Sequence, residues 1–242
     1  MNMNLQHLLN LLLVLTVNQA IAQRMKIDIN EQLQNTTRQL IGDFDKITPD
    51  RREKLTAIGD FLLGHASDTS TFSALFVCTH NSRRSHMADT WFKYGLVYFD
   101  IQHFESYSGG LEATAFNPNA IAALQRAGFE IAYDRKADNP VVSITPGHYP
   151  VWQMKSKVYT HHQNPRSNFV AIMVCTDADE SCPLVEGASG RFSLPFDDPR
   201  HFDNTPAQNF KYDETVAIIG REMLFLTHYL KDQMVKEIES GK

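Results

Sequence analysis

The run Ala74-Leu75-Phe76-Val77-Cys78-Thr79-His80-Asn81-Ser82-Arg83-Arg84-Ser85 constrains this chain more than any other stretch. Four apolar residues lead straight into a cysteine, and an apolar–polar helical pattern follows from His86 to about Gly95. That order predicts a buried strand, a tight loop and a helix. Such a loop turns successive backbone N–H groups inward as an anion nest. The helix aims the positive end of its dipole at the same point. Arg84 is suited to clamp two oxygens of a tetrahedral oxyanion with its planar fork. Together these groups suit a Cys78 that reacts as a thiolate nucleophile, with the Ser85 hydroxyl donating to the sulfur. A cysteine at a strand end is often buried for packing alone. Cys-x-x-Asn-x-x-Arg-Ser between a strand and a helix is a much rarer arrangement.

The chain has 242 residues, enough for one α/β domain with additions. Hydrophobic residues make up 43% and charged residues 21%, which predicts a packed core rather than disorder. A net charge of −5 without a long basic run argues against a nucleic-acid partner. Residues 8–17 form a greasy run too short to span a bilayer comfortably. Ala20-Ile21-Ala22 before Gln23 has the small-residue pattern of a signal-peptidase site. Residues 1–22 therefore read as an export signal, although no Lys or Arg precedes the greasy run. The alternatives are a start at Met25 or an anchor made by 1–22. The protein is exported or periplasmic if the signal holds and cytoplasmic otherwise, and no stable membrane insertion is expected.

Apolar positions at Ile29, Leu33, Leu40 and Phe44 predict a helix within 26–46. Thr48-Pro49 opens a second one that ends near Gly64. We divide the chain into the leader 1–22, a helical extension 23–70 and a main domain 71–242. The extension reads as a packed appendage. In the main domain, Phe104–Ser108 is the next strand, closed by Gly109-Gly110. Asn117-Pro118 opens a helix that ends at Gly128. Residues 131–167 carry four prolines and many aromatics, and read as an insertion that is either a substrate lid or a packed Ω-loop. Phe169–Val174 is a strand buried on both faces, ending at Cys175. Val216, Ile219, Met223, Leu226, Leu230 and Met234 mark the core face of a long terminal helix. Strands alternating with helices imply a parallel sheet.

A thiolate attacking an ester needs an acid for the leaving oxygen, and Asp198, on the loop Asp197-Asp198-Pro199, is the candidate. The three cysteines, 78, 175 and 182, are too few and odd in number for a disulfide scaffold. They fit a reactive thiol plus a redox pair. Metal binding finds little support: His161 and His162 are adjacent, so their rings are expected to point apart, and no Cys/His quartet is visible.

Cys78 to Ser85 resembles the phosphate-binding loop of low-molecular-weight protein tyrosine phosphatases and of the arsenate reductases built on the same fold. Two departures stand out: His80 replaces the usual glycine, and Arg83 precedes the clamping arginine, which makes the loop more basic. Thr79, His80, Asn81, Ser82, Arg83, Arg84 and Ser85 then form the oxyanion loop, and Asp198 before Pro199 matches the family's acid. Arg200 and His201 stand where the tyrosine phosphatases carry aromatics. Cys175-Thr176-Asp177-Ala178-Asp179-Glu180-Ser181-Cys182-Pro183 resembles the redox segment of the thioredoxin-coupled arsenate reductases. The resemblance covers about 73–130 and 168–236. It implies a four-stranded parallel sheet with helices on both faces; the amino-terminal helices and the 131–167 insertion fall outside it. It also implies arsenate reduction through Cys78, Cys175 and Cys182, with a thioredoxin-like partner. The alternative is hydrolysis of phosphate monoesters through a phosphocysteine. No cofactor is required, but Asn81, Asp89 and Ser108 match places linked in that family to loop support and a monovalent cation.

Overall fold

The computed structural model describes residues 29–66, 70–181 and 184–240. The leader 1–22 and Cys182 lie outside the described residues.

Two helices come first. α1 spans Glu31–Gly42, capped by Asn30, whose side chain accepts from Leu33 N. A 3₁₀ turn at Phe44–Lys46 follows. α2 spans Pro49–His65, with proline in its first turn, where the lost N–H costs nothing. β1 (Phe72–Cys78) then enters the core with every residue buried. α3 (Arg84–Tyr98) begins two residues before the expected start at His86, so Arg84 and Ser85 sit in its first turn. β2 (Phe104–Gly110) runs through both glycines rather than stopping before them. α4 spans Pro118–Ala127, its N-terminus capped by Asn117.

Strands β1, β2, β6 (Phe169–Met173) and β7 (Gly190–Ser193) form one parallel sheet in the order β2-β1-β6-β7. All residues of β1 and β6 are buried, as expected for central strands covered on both faces by the surrounding helices. α5 (Thr176–Ser181) is a short turn of helix directly after β6. α6 (Gln208–Ser240) is the long terminal helix, with Val216, Ile219, Met223, Leu226 and Leu230 buried.

Residues 131–167 are neither a bare lid nor an Ω-loop. They complete a separate antiparallel sheet of β3 (Glu130–Tyr133), β4 (Val142–Thr145) and β5 (Trp152–Met154) in that order. Strands of three or four residues leave too few alternating positions to read as a pattern. The His161 and His162 rings also depart from expectation: their centroids lie 4.2 Å apart, so the rings face each other instead of pointing away.

The amino-terminal helices are bound into this frame. Asn30 Nδ2 donates to Gly128 O at 2.6 Å and to Pro146 O at 3.1 Å. Gly128 closes α4 with a φ of 113°, a conformation that suits glycine, and a Cβ there would fall 2.5 Å from Leu33 N. On α2, Leu55, Ile58 and Leu62 are fully buried, and the Tyr229 hydroxyl of α6 donates to Asp60 at 2.6 Å.

Candidate active site

β1 delivers Cys78 to the carboxyl end of the sheet, where open α/β folds place ligands. The loop's carbonyls are taken on its outer side. Leu111 N donates to Cys78 O, Glu112 N to Thr79 O at 2.8 Å, and Asn117 N to Ser82 O at 2.9 Å. The His80 carbonyl accepts from the hydroxyls of Thr114 and Ser156. In a trans peptide the next N–H points opposite to the carbonyl. The N–H groups of Thr79, His80, Asn81 and Arg83 therefore point away from those carbonyl partners, the arrangement an anion nest requires. Gly110 packs under it: an added Cβ would lie 2.6 Å from Asn81 N.

Asn81 braces the loop from within. It is fully buried, with a φ of 43°, in the left-handed region that asparagine tolerates. Its Oδ1 accepts from Lys157 N at 2.9 Å and its Nδ2 donates to Ser85 Oγ at 2.9 Å. Ser85 Oγ also lies 3.0 Å from Cys78 Sγ. Because Asn81 donates to Ser85, the serine's own proton is free to go to the sulfur. Cys78 is nearly buried.

The Arg84 guanidinium is buried. Nη1 donates to Phe196 O at 2.9 Å and Nη2 to Asp198 Oδ2 at 2.7 Å. Its Nε is buried without a hydrogen-bond partner among the described residues, a donor available to an oxyanion. Asp198 caps the 3₁₀ turn Pro199–Phe202, its Oδ1 accepting from Arg200 N at 3.0 Å. The structure thus brings Arg84 and Asp198 into contact. Asp197 is exposed.

Arg83 points elsewhere. Its Nε donates to the Tyr212 hydroxyl at 2.8 Å and its Nη2 to Asp203 Oδ2 at 3.1 Å. The extra charge expected to make the loop more basic is neutralised at Asp203. Ser82 Oγ donates to Ala115 O, and His80 Nε2 lies 3.6 Å from Glu112 Oε2.

The strand register extends past β6, with Val174 N donating to Val77 O at 2.8 Å. Cys175 therefore comes level with the start of the loop. It is fully buried, its Sγ 3.5 Å from Thr79 Oγ1 and accepting from Ala178 N at 3.4 Å in the manner of a helix cap. Neither Cys78 nor Cys175 is in a disulfide.

The residues matched to a monovalent cation site are engaged by protein. Asp89 Oδ1 accepts from the Lys93 ammonium and from Ser106 Oγ. Ser108 Oγ lies 3.2 Å from His86 Nδ1, and the Asn81 amide is spent as described. A cation at Asp89 would have to displace the Lys93 ammonium already there, so these residues do not fit one. Among the described residues no three His, Cys, Asp or Glu side chains gather as a metal site.

Three supporting groups were not legible in the sequence. His86 stacks on Phe116 with ring centroids 4.0 Å apart. Burial pushes its pKa down to about 3, helped by the Lys157 and Lys93 charges and opposed by Asp89. Ser156 and the Lys157 backbone come from the stretch without readable periodicity, and no motif there flagged them.

A parallel sheet with such a loop at its carboxyl end fits an oxyanion-handling class of enzyme. The model of the low molecular weight phosphotyrosine protein phosphatase family matches residues 73–141. Arsenate reductase 2 of Staphylococcus epidermidis is 31% identical over 124 residues, spanning 51% of this chain and 76% of the relative. The arsenate reductase of Bacillus licheniformis is 30% identical over 141 residues, spanning 58% and 84%. A low-molecular-weight phosphotyrosine phosphatase of Vibrio cholerae O395 superposes with a TM-score of 0.45 at 17% identity, over 67% of this chain and 98% of that one. The chain belongs to the low-molecular-weight phosphotyrosine phosphatase superfamily, close to its arsenate reductases.

Proposed function

We propose that this enzyme reduces arsenate to arsenite, with its own thiols as the immediate electron source. The observation that carries this reading is the placement of Cys175. Ester hydrolysis through a phosphocysteine uses one sulfur, whereas a thiol relay needs a second one beside the nucleophile's loop, and here Cys175 Sγ lies 3.5 Å from Thr79 Oγ1. Similarity to arsenate reductases at about 30% identity supports the same reading.

In the proposed cycle arsenate enters the nest, and Arg84 shifts Nε and Nη2 onto its oxygens. Asp198 Oδ2, released from Arg84, faces the departing oxygen. The Cys78 thiolate attacks arsenic, an S–As bond forms, and hydroxide leaves as water with a proton from Asp198. The Cys175 thiolate then attacks Cys78 Sγ. The S–S bond forms, the S–As bond breaks, and its electron pair stays on arsenic, which departs as arsenite in the +3 state. Cys182 attacks Cys175 Sγ, which releases Cys78 as thiolate and leaves a Cys175–Cys182 disulfide. A thioredoxin-like dithiol reduces that disulfide and closes the cycle. Among the described residues no helix is long and apolar enough to cross a membrane.

A second reading, hydrolysis of phosphate monoesters through a phosphocysteine, is favoured by the Arg84–Asp198 contact, because that chemistry needs only Cys78, Arg84 and Asp198. One set of variants separates the two. Under the reductase reading, Cys175→Ser and Cys182→Ser each stop multiple turnover of arsenate with thioredoxin and spare hydrolysis of an activated aryl phosphate. Cys78→Ser abolishes both activities. Mass spectrometry of the wild type after arsenate then shows the Cys175–Cys182 disulfide. If both serine variants reduce arsenate as well as wild type, or wild type does not reduce it, the phosphatase reading replaces the relay.

A further inference from the structure

The acid loop is gripped from two sides, and one grip comes from the amino-terminal helices. Arg51, in the first turn of α2, donates Nη1 to Pro195 O at 3.0 Å. Its other donors form a fork on Glu222 of α6, with Nε to Oε1 at 3.0 Å and Nη2 to Oε2. The guanidinium lies over the Phe196 ring, 4.7 Å from the centroid. On the other side, Arg84 Nη1 takes the very next carbonyl, Phe196 O, and Nη2 takes Asp198. Two arginines thus hold consecutive carbonyls of the segment that carries the acid.

The start of this segment is also tied to the end of β6, with Leu194 N donating to Met173 O at 2.9 Å and Phe196 N to Val174 O at 3.1 Å, so the arginines act on the stretch beyond these bonds. A cleft of about 410 Å³ lies along it, lined by Arg51, Pro195, Phe196, Asp197, Asp198 and Phe202 among others. The far ends of the Arg51 grip are firm. Glu222 is buried, and α2 is docked on α6 through fully buried Leu55, Ile58 and Leu62. A bidentate arginine–carboxylate pair fixes the guanidinium plane, and so fixes the direction in which Nη1 points.

We infer that Arg51 is a positioning residue for catalysis: held by Glu222, it sets the acid loop so that Asp198 stays opposed to Cys78 when an oxyanion draws Arg84 away. The amino-terminal helices are then part of the active-site support rather than an appendage. This rests on Asp198 serving as proton donor, which both readings of the site share.

The test uses the full chain and two variants. Arg51→Lys keeps the charge but cannot hold Glu222, Pro195 O and the Phe196 ring together. The double variant Arg51→Met, Glu222→Met replaces the buried pair with apolar groups, so that no lone buried charge unfolds the protein. Two readouts are compared. In hydrogen exchange, peptides covering 194–203 exchange about tenfold faster in the variants while peptides of β1 keep their protection. In kinetics, turnover of phenyl phosphate, a poor leaving group, falls about tenfold further than turnover of dinitrophenyl phosphate, because only the former needs the acid. Unchanged exchange at 194–203, or equal loss on both esters, overturns the inference. If wild type hydrolyses neither ester, the ester chemistry of the site is wrong, and hydrogen exchange alone then decides whether Arg51 holds the loop.

Discussion

The Thr79 hydroxyl oxygen lies 3.5 Å from Cys175 Sγ and so joins the residue after Cys78 to a second sulfur. The contact exists because β6 pairs with β1 in parallel, Met173 level with Val77, and both strands end at the same height. Thr79→Val keeps the side-chain shape and removes the hydroxyl. Arsenate turnover should fall about three- to tenfold, as for loss of one hydrogen bond of about 1 kcal/mol. Rapid-quench mass spectrometry should show slower appearance of the Cys78–Cys175 disulfide. A larger loss on an activated aryl phosphate than on arsenate would disprove a role for this contact in forming the Cys78–Cys175 disulfide.

Asp198→Asn keeps one oxygen, enough for Arg84 or for Arg200 N but not for both, and removes the transferable proton. Hydrolysis of phenyl phosphate should drop about 10²-fold, with a smaller loss on dinitrophenyl phosphate. Urea denaturation should place the variant about 1–3 kcal/mol below wild type, the cost of one lost hydrogen bond to a charged group. Equal losses on the two esters would remove Asp198 from the acid role.

His86 gives the fold a pH dependence with a definite sign. Its pKa is lowered from 6.5 to about 3 by burial in the folded state, so between those values the unfolded chain binds the extra proton. Stability from this group is complete above pH 6.5 and is lost as pH falls toward 3, at up to about 1.4 kcal/mol per pH unit. Urea midpoints at pH 5 and pH 7 should show the decline, and His86→Phe, which keeps the stack on Phe116, should flatten it. An unflattened profile would assign the acid sensitivity to other groups.

Gly128→Ala puts a methyl 2.5 Å from Leu33 N at a φ of 113°. It should cost about 1–3 kcal/mol from backbone strain alone, and loosen α1 from α4. Gly42→Ala, where an added Cβ meets nothing within 4 Å, is the matched control and should be neutral or slightly stabilising. Comparable losses at both positions would mean that the Leu33 contact is not the cause.

The parts legible in the sequence are those where one local rule dominates. β1, β6 and α6 announce themselves by apolar runs or helical spacing, and Asn117-Pro118 with Gly128 marks both ends of α4. Cys78, Arg84 and Ser85 share one short motif, so their proximity follows from chain connectivity. What stayed hidden depends on distant partners. Arg83 looks like part of the anion loop until Asp203 and Tyr212 claim it. Arg51 looks like a surface residue until the fold brings Glu222 and Pro195 against it. The three short strands between Glu130 and Met154 pair with one another, and no residue pattern encodes such partners in advance.

The sheet order has a consequence for how the chain is made. β2 follows β1 closely and can cover one edge early, but the other edge of β1 waits for Phe169–Met173, which emerge after most of the chain has been synthesised. Until then a nascent chain carries a largely apolar strand, Ser73 aside, with an open edge and the Cys78 thiol at its tip. Such a strand is the kind that recruits neighbouring chains. Truncation before β6 should therefore yield aggregates cross-linked through Cys78, and synthesis in a cell should place a premium on holding that edge covered until the second half arrives.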